Sequence, residues 1–149
     1  LEQESGLFFN MKYFEDMVLA GDFKAAESYI SSFTKLEDNS YSTKIYFELR
    51  KHKYLEALDR KDSSEAFHIC FDELKVFSSY DERVFSELTL LLMLDDFREH
   101  EELATYGNPR DARSVLVTDL RGLIENNQVL KDKLTLPPCE TPPLANPSE

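Results

Sequence analysis

Ser40–Lys61 reads SYSTKIYFELRKHKYLEALDRK, and no glycine or proline interrupts it. Asp38, Asn39 and Ser40 supply side-chain oxygens suited to cap the first free amides of a helix. At about 100° per residue the stretch separates into two stripes. Tyr41, Ile45, Leu49 and His52 form an ordinary inward face. Lys44, Phe47, Lys51 and Leu58 form a second, in which a phenylalanine sits between two lysines. Lysine stems commonly flank a half-buried aromatic while their heads stay in water. The same arrangement also makes an apolar slot with a cationic rim, suited to a short peptide that alternates leucines with acidic residues.

Working outward, helix signals punctuate the chain on both sides. Toward the C-terminus, Asp62 and Glu65 form a D-x-x-E box that opens a helix to about Val76, with Phe67, Ile69, Cys70, Phe71 and Leu74 inward. Ser79 and Glu82 form an S-x-x-E box before a helix over about Tyr80–Met93. Leu88–Leu94 is almost wholly apolar, which marks it as central or covered by another chain. Leu94–Tyr106 reads as a short acidic helix. Asn108-Pro109 then starts a helix to about Asn126, with Val115, Leu116, Leu120, Leu123 and Ile124 inward, and Leu130–Leu134 adds a turn. Toward the N-terminus, Leu1–Ser5 reads as the end of a truncated helix, followed by Gly6 and an apolar plug, Leu7-Phe8-Phe9. Asn10 caps Met11–Ala20, Gly21 breaks it, and Asp22 caps Phe23–Thr34, giving a tight antiparallel pair. From Leu136 the proline-rich PPCETPPLANPSE reads as a disordered tail. No alternating run bounded by hairpin turns is present. The expected class is all-α, a compact bundle of about seven to nine helices with a disordered C-terminal tail.

Composition limits the partners. The 149 residues suit one domain, and 42% hydrophobic residues with only 4 glycines favour a folded, helix-rich chain. A net charge of −12 disfavours nucleic acid and anionic membranes, because both call for a basic surface. An acidic partner needs a local basic patch, and Lys44, Arg50, Lys51 and Lys53 make the densest one. The 2 cysteines, Cys70 and Cys139, read as free thiols of a reducing compartment, with a bridge between them as the alternative. The 3 histidines and 2 cysteines have no metal-ligand spacing, and no phosphate loop, dinucleotide fingerprint or nucleophile elbow occurs. Neither metal nor cofactor is expected. Nothing in the sequence supports an enzyme, which points to a binding and assembly module.

LEQESGLFFNMKYFED, YSTKIYFELRKHKYLEALD, LKVFSSY and LTLLLMLDDFREHEELATYGNPRDAR closely resemble the N-terminal domain of plant TOPLESS-type transcriptional corepressors, over roughly Leu1–Leu134. The resemblance implies an all-helical domain: residues 1–5 ending a truncated LisH helix, 6–61 a CTLH segment, 62–135 a partial CRA segment, and 136–149 the tail. It implies a nuclear, non-enzymatic domain that recruits repressors and adaptor proteins carrying EAR motifs with an LxLxL core, and that self-associates into dimers or tetramers. The peptide-binding positions implied are Phe8, Tyr41, Lys44, Phe47, Lys51, Phe77, Val84, Leu91 and Leu103. Lys75, Thr89 and Leu90 fall at the oligomer surface. Ser40 stands where close relatives carry arginine, which removes a rim cation, and Val84 stands where they carry leucine. The downstream propellers of the family do not follow, so the chain reads as a fragment or a truncated form. CTLH and CRA segments also occur in ubiquitin-ligase scaffolds, and a truncated form that sequesters EAR motifs shares the same chemistry; both remain alternatives.

Overall fold

The computed structural model describes residues 8–131. The helix end expected at 1–5, Leu7, the last residues of the expected 130–134 turn, Cys139 and the tail expected at 136–149 lie outside the described residues. Within them the fold is all-helical. Its seven α-helices are α1 (Met11–Leu19), α2 (Phe23–Ile30), α3 (Ser40–Asp59), α4 (Ser63–His68), α5 (Glu82–Leu90), α6 (Pro109–Glu125) and α7 (Gln128–Lys131).

Every expected start carries a cap, with one displacement. Asn10, Asp22, Asp62 and Asn108 accept from the amides of Tyr13, Ala25, Glu65 and Asp111. For α5 the cap is Asp81, accepting from Val84 N, and not Ser79, whose hydroxyl instead donates to the Val76 carbonyl. Of the three candidates before α3, Asn39 is the cap. Its Nδ2 also donates to Asn127 Oδ1 at 2.9 Å, while Asn127 Nδ2 donates to Ser42 Oγ, itself 2.5 Å from Thr34 Oγ1. Asn127 and Ser42 are fully buried, and this satisfied network pins the end of α6 to the start of α3. It also explains why α2 stops at Ile30 instead of Thr34: the Thr34 carbonyl accepts from Tyr46 Oη and leaves the helix.

The central helix α3 packs against α2, α4 and, most extensively, α6. Tyr54, Leu55, Glu56 and Ala57 are buried in succession, so its C-terminal half is enclosed on all sides. Glu56 is tolerated there because Arg113 of α6 meets it in a bidentate pair, Nε–Oε2 2.8 Å and Nη2–Oε1 2.7 Å. The same guanidinium closes over the α1–α2 turn. Gly21 there has φ +82°, a backbone conformation that calls for glycine, and a Cβ at that position would push the Arg113 guanidinium aside.

Three expectations about the second half are corrected. The helix expected to Val76 is α-helical only to His68; Ile69–Leu74 widens into a π-turn and Lys75–Ser79 tightens into a 3₁₀ turn. Phe67 is 58% exposed, its ring tilted against Phe71 at 4.6 Å between centres, while Leu74 and Phe77 are buried. The helix expected over Tyr80–Met93 ends at Leu90 and continues as a 3₁₀ turn, Leu91–Met93. Leu94–Tyr106 is not a helix. It holds two single 3₁₀ turns, Phe97–Glu99 and Glu101–Leu103, because Arg98 reaches back to the Tyr106 and Gly107 carbonyls and across to Asp59 of α3. One further position expected inward, Val115, is exposed.

Candidate peptide groove

The Lys44–Phe47–Lys51 stripe of α3 stands at the surface. Lys44 is exposed and Phe47 half-buried. Phe77 meets the Phe47 ring edge-on at 5.2 Å, and Lys51 Nζ lies 5.6 Å from the centre of that ring. Lys51 is steadied by Glu48, 3.6 Å away. Opposite this stripe, α5 and the turn after it bring Val84, Leu88 and Leu91, spaced i, i+4, i+7. Tyr54 Oη holds the end of α5 to α3 by donating to the Leu88 carbonyl at 2.6 Å. The Arg98-pinned segment brings Leu103 alongside. Phe47, Lys51, Val84, Leu91 and Leu103 thus line one cavity of about 200 Å³. That volume is below the usual range for small-molecule and cofactor sites and suits individual side chains better.

The remaining expected positions fall elsewhere. Phe77 is buried behind Phe47. Tyr41 is exposed, in line with Lys44 and Phe47 along α3, and so leaves the inward stripe to which periodicity assigned it. Phe8 is exposed and does not line the cavity. The expected basic patch is divided. Arg50 turns to Glu27 and the Glu73 carbonyl, and Lys53 pairs with Glu73, which leaves Lys51 as the one lysine of the patch that lines the cavity; Lys44 is exposed and does not line it. His52 adds none: burial pulls its imidazole down to about 4, so it is neutral at pH 7. Glu87, Leu88, His100 and Glu102 also line the cavity and were not anticipated. Leu88 was within reach of the i, i+4, i+7 rule from Val84; the acidic pair depends on how the 94–107 segment folds.

Of the expected oligomer positions, Lys75 and Leu90 are exposed. Thr89 turns inward, donating to the Phe85 carbonyl and lying 3.8 Å from the buried thiol of Cys70. Among the described residues no cluster of acidic, histidine or cysteine side chains could hold a metal ion, and no helix is long and apolar enough to cross a membrane.

Residues 10–134 match the family described as the TPR1-like, CTLH-containing domain. The chain belongs to the TOPLESS-related family. It is 54% identical over 137 residues to Topless-related protein 4 of Arabidopsis thaliana, covering 92% of this chain and 12% of that protein. It is 53% identical, with the same coverage, to Protein TOPLESS of Arabidopsis thaliana and to Protein TPR3 of Oryza sativa subsp. japonica. The chain therefore spans about an eighth of the length of these relatives. The match to the TOPLESS-related family runs through the whole groove: α3, α5, the 91–93 turn and the 101–103 turn all lie within residues 10–134.

Proposed function

We propose that the groove docks short extended peptides with an LxLxL core, and that the domain thereby recruits EAR-motif repressors and adaptor proteins in the nucleus as a non-enzymatic part of a corepressor. One observation carries this reading: Phe47, Val84, Leu88, Leu91 and Leu103, drawn from separate parts of the chain, line a single cavity whose charged lining is Lys51, Glu87 and Glu102. Leucines of the peptide bury against Phe47, Leu91 and Leu103, and its acidic flanks meet Lys44 and Lys51. Each well-buried leucine contributes roughly 1.5–3 kcal/mol. Ordering the peptide offsets much of that gain. A dissociation constant of about micromolar follows, which suits exchangeable recruitment. Calorimetric titration with an acidic-flanked LxLxL peptide is expected to give micromolar binding, and none with the leucines replaced by alanine. Equal affinity for both peptides would remove the proposal in favour of an assembly scaffold, which has no reason to prefer leucines.

A second reading, self-association, is favoured by exposed apolar side chains near Leu90. Leu90 is 54% exposed and Met93 81%, and α4, which carries the exposed Phe67, packs against the 91–93 turn. Lys75 is exposed in the preceding 3₁₀ turn. Such surface is normally covered. In sedimentation velocity the chain is expected to run as an oligomer that Leu90→Lys dissociates; a monomeric wild-type chain would exclude this surface.

A further inference from the structure

A second cavity, of about 360 Å³, adjoins the groove and shares Glu102 and Leu103 with it. Its lining has two characters. Ala112, Val115 and Leu116 of α6 form an apolar floor, on which Val115 stands exposed. Glu102, Asp111 and Asp119 bring three carboxylates, no lysine or arginine lines the cavity, and none of the three carboxylates has an ion-pair partner among the described residues.

Three like charges around one concavity repel each other and favour a cation. A bare metal ion does not fit, because the carboxylates do not converge into a metal-binding group. An anion is repelled, and a purely apolar group gains nothing from the exposed carboxylates, of which Asp111 also accepts from Asn108 Nδ2 at 3.1 Å. A lysine or arginine side chain matches both characters, laying its aliphatic stem on apolar surface while its head reaches the charged rim.

We propose that this cavity receives a lysine or arginine flanking the leucine core of a peptide docked in the groove, with the stem on Val115 and Leu116 and the head among Glu102, Asp111 and Asp119. The inference rests on the groove reading and adds a preference to it. The groove recognises acidic residues on its Lys44–Lys51 side and a basic residue beyond Leu103, which also sets the direction in which the peptide lies.

The test is calorimetric titration of the chain with three peptides sharing one LxLxL core. One has alanine flanks, one an arginine on the N-terminal side, and one an arginine on the C-terminal side. Each is titrated into wild type, Asp119→Asn and Asp111→Asn/Asp119→Asn, with thermal melts to establish folding; the single variant serves if the double one is impaired, since Asp111 lies in the first turn of α6. One arginine peptide is expected to bind wild type about tenfold tighter than the alanine-flanked peptide. That advantage falls by about half its logarithm in the single variant and to under about twofold in the double variant, while the alanine-flanked peptide binds all three alike. No advantage from either arginine, or an advantage that survives the substitutions, overturns the proposal. Failure of the alanine-flanked peptide to bind wild type is a different result: it refutes the groove reading, and this inference with it.

Discussion

Phe47→Ala is expected to weaken LxLxL binding by at least about thirtyfold, because a central aromatic that forms the floor of a small apolar groove behaves as a hot spot, worth roughly 2–4 kcal/mol on truncation. Phe47 is the residue on which the groove is assembled. It lies between Lys44 and Lys51 on α3, carries the cation of Lys51 near its face, and packs edge-on with Phe77. Its half-buried position keeps the effect on folding modest, about 1–2 kcal/mol, so binding and stability separate in one experiment. Titration with the same peptide, beside a thermal melt, reads both. Phe47→Leu keeps apolar volume and is expected to retain most of the affinity. A folded Phe47→Ala chain that binds normally would mean that the peptide docks elsewhere.

Arg113→Met is expected to destabilise the domain more than any surface change, by about 3–5 kcal/mol, because it strands the carboxylate of Glu56 inside the bundle. Glu56 has a side chain only 7% exposed, and Arg113 meets it through both oxygens. The pair joins α3 to α6, and Arg113 Nη1 also donates to the Leu19 carbonyl at the end of α1. A melting temperature lower by roughly 10 °C or more is expected for a domain of this size. The double variant Glu56→Leu/Arg113→Met removes both charges and is expected to recover most of the loss, since apolar replacements of a buried ion pair are often neutral. If Arg113→Met alone melts within about 2 °C of wild type, Glu56 finds another partner or water, and the pair is not what fastens α6 to α3.

Some of this protein is local and was therefore readable. Caps act within three residues, so Asn10, Asp22, Asp62 and Asn108 announce their helices whatever packs against them. Gly21 marks its turn for the same reason, and the Lys44–Phe47–Lys51 stripe follows from the helical period alone. Other features depend on contacts between distant residues. Arg98 draws in the carbonyls of Tyr106 and Gly107 and the carboxylate of Asp59, and an acidic stretch that reads as a helix becomes two 3₁₀ turns. That turn chain is what sets Leu103 opposite Phe47 and places Glu102 between two cavities. Phe67, expected inward, is exposed on α4 because Ala66, Cys70, Leu74 and Phe77 take the buried line, and the local widening into a π-turn at Ile69–Leu74 depends on packing that a sequence period does not show. Arg50 and Lys53 illustrate the limit on charge: within two residues of Lys51 in sequence, they pair with Glu27 and Glu73 on other elements and leave the groove. The sequence by itself thus determined the helix starts at Asn10, Asp22, Asp62 and Asn108 and the aromatic-lysine stripe, because those rest on spacing along one chain segment. The tertiary structure decided which of these residues meet and which charges remain unpaired, because burial and ion pairing are set by partners that only folding brings together.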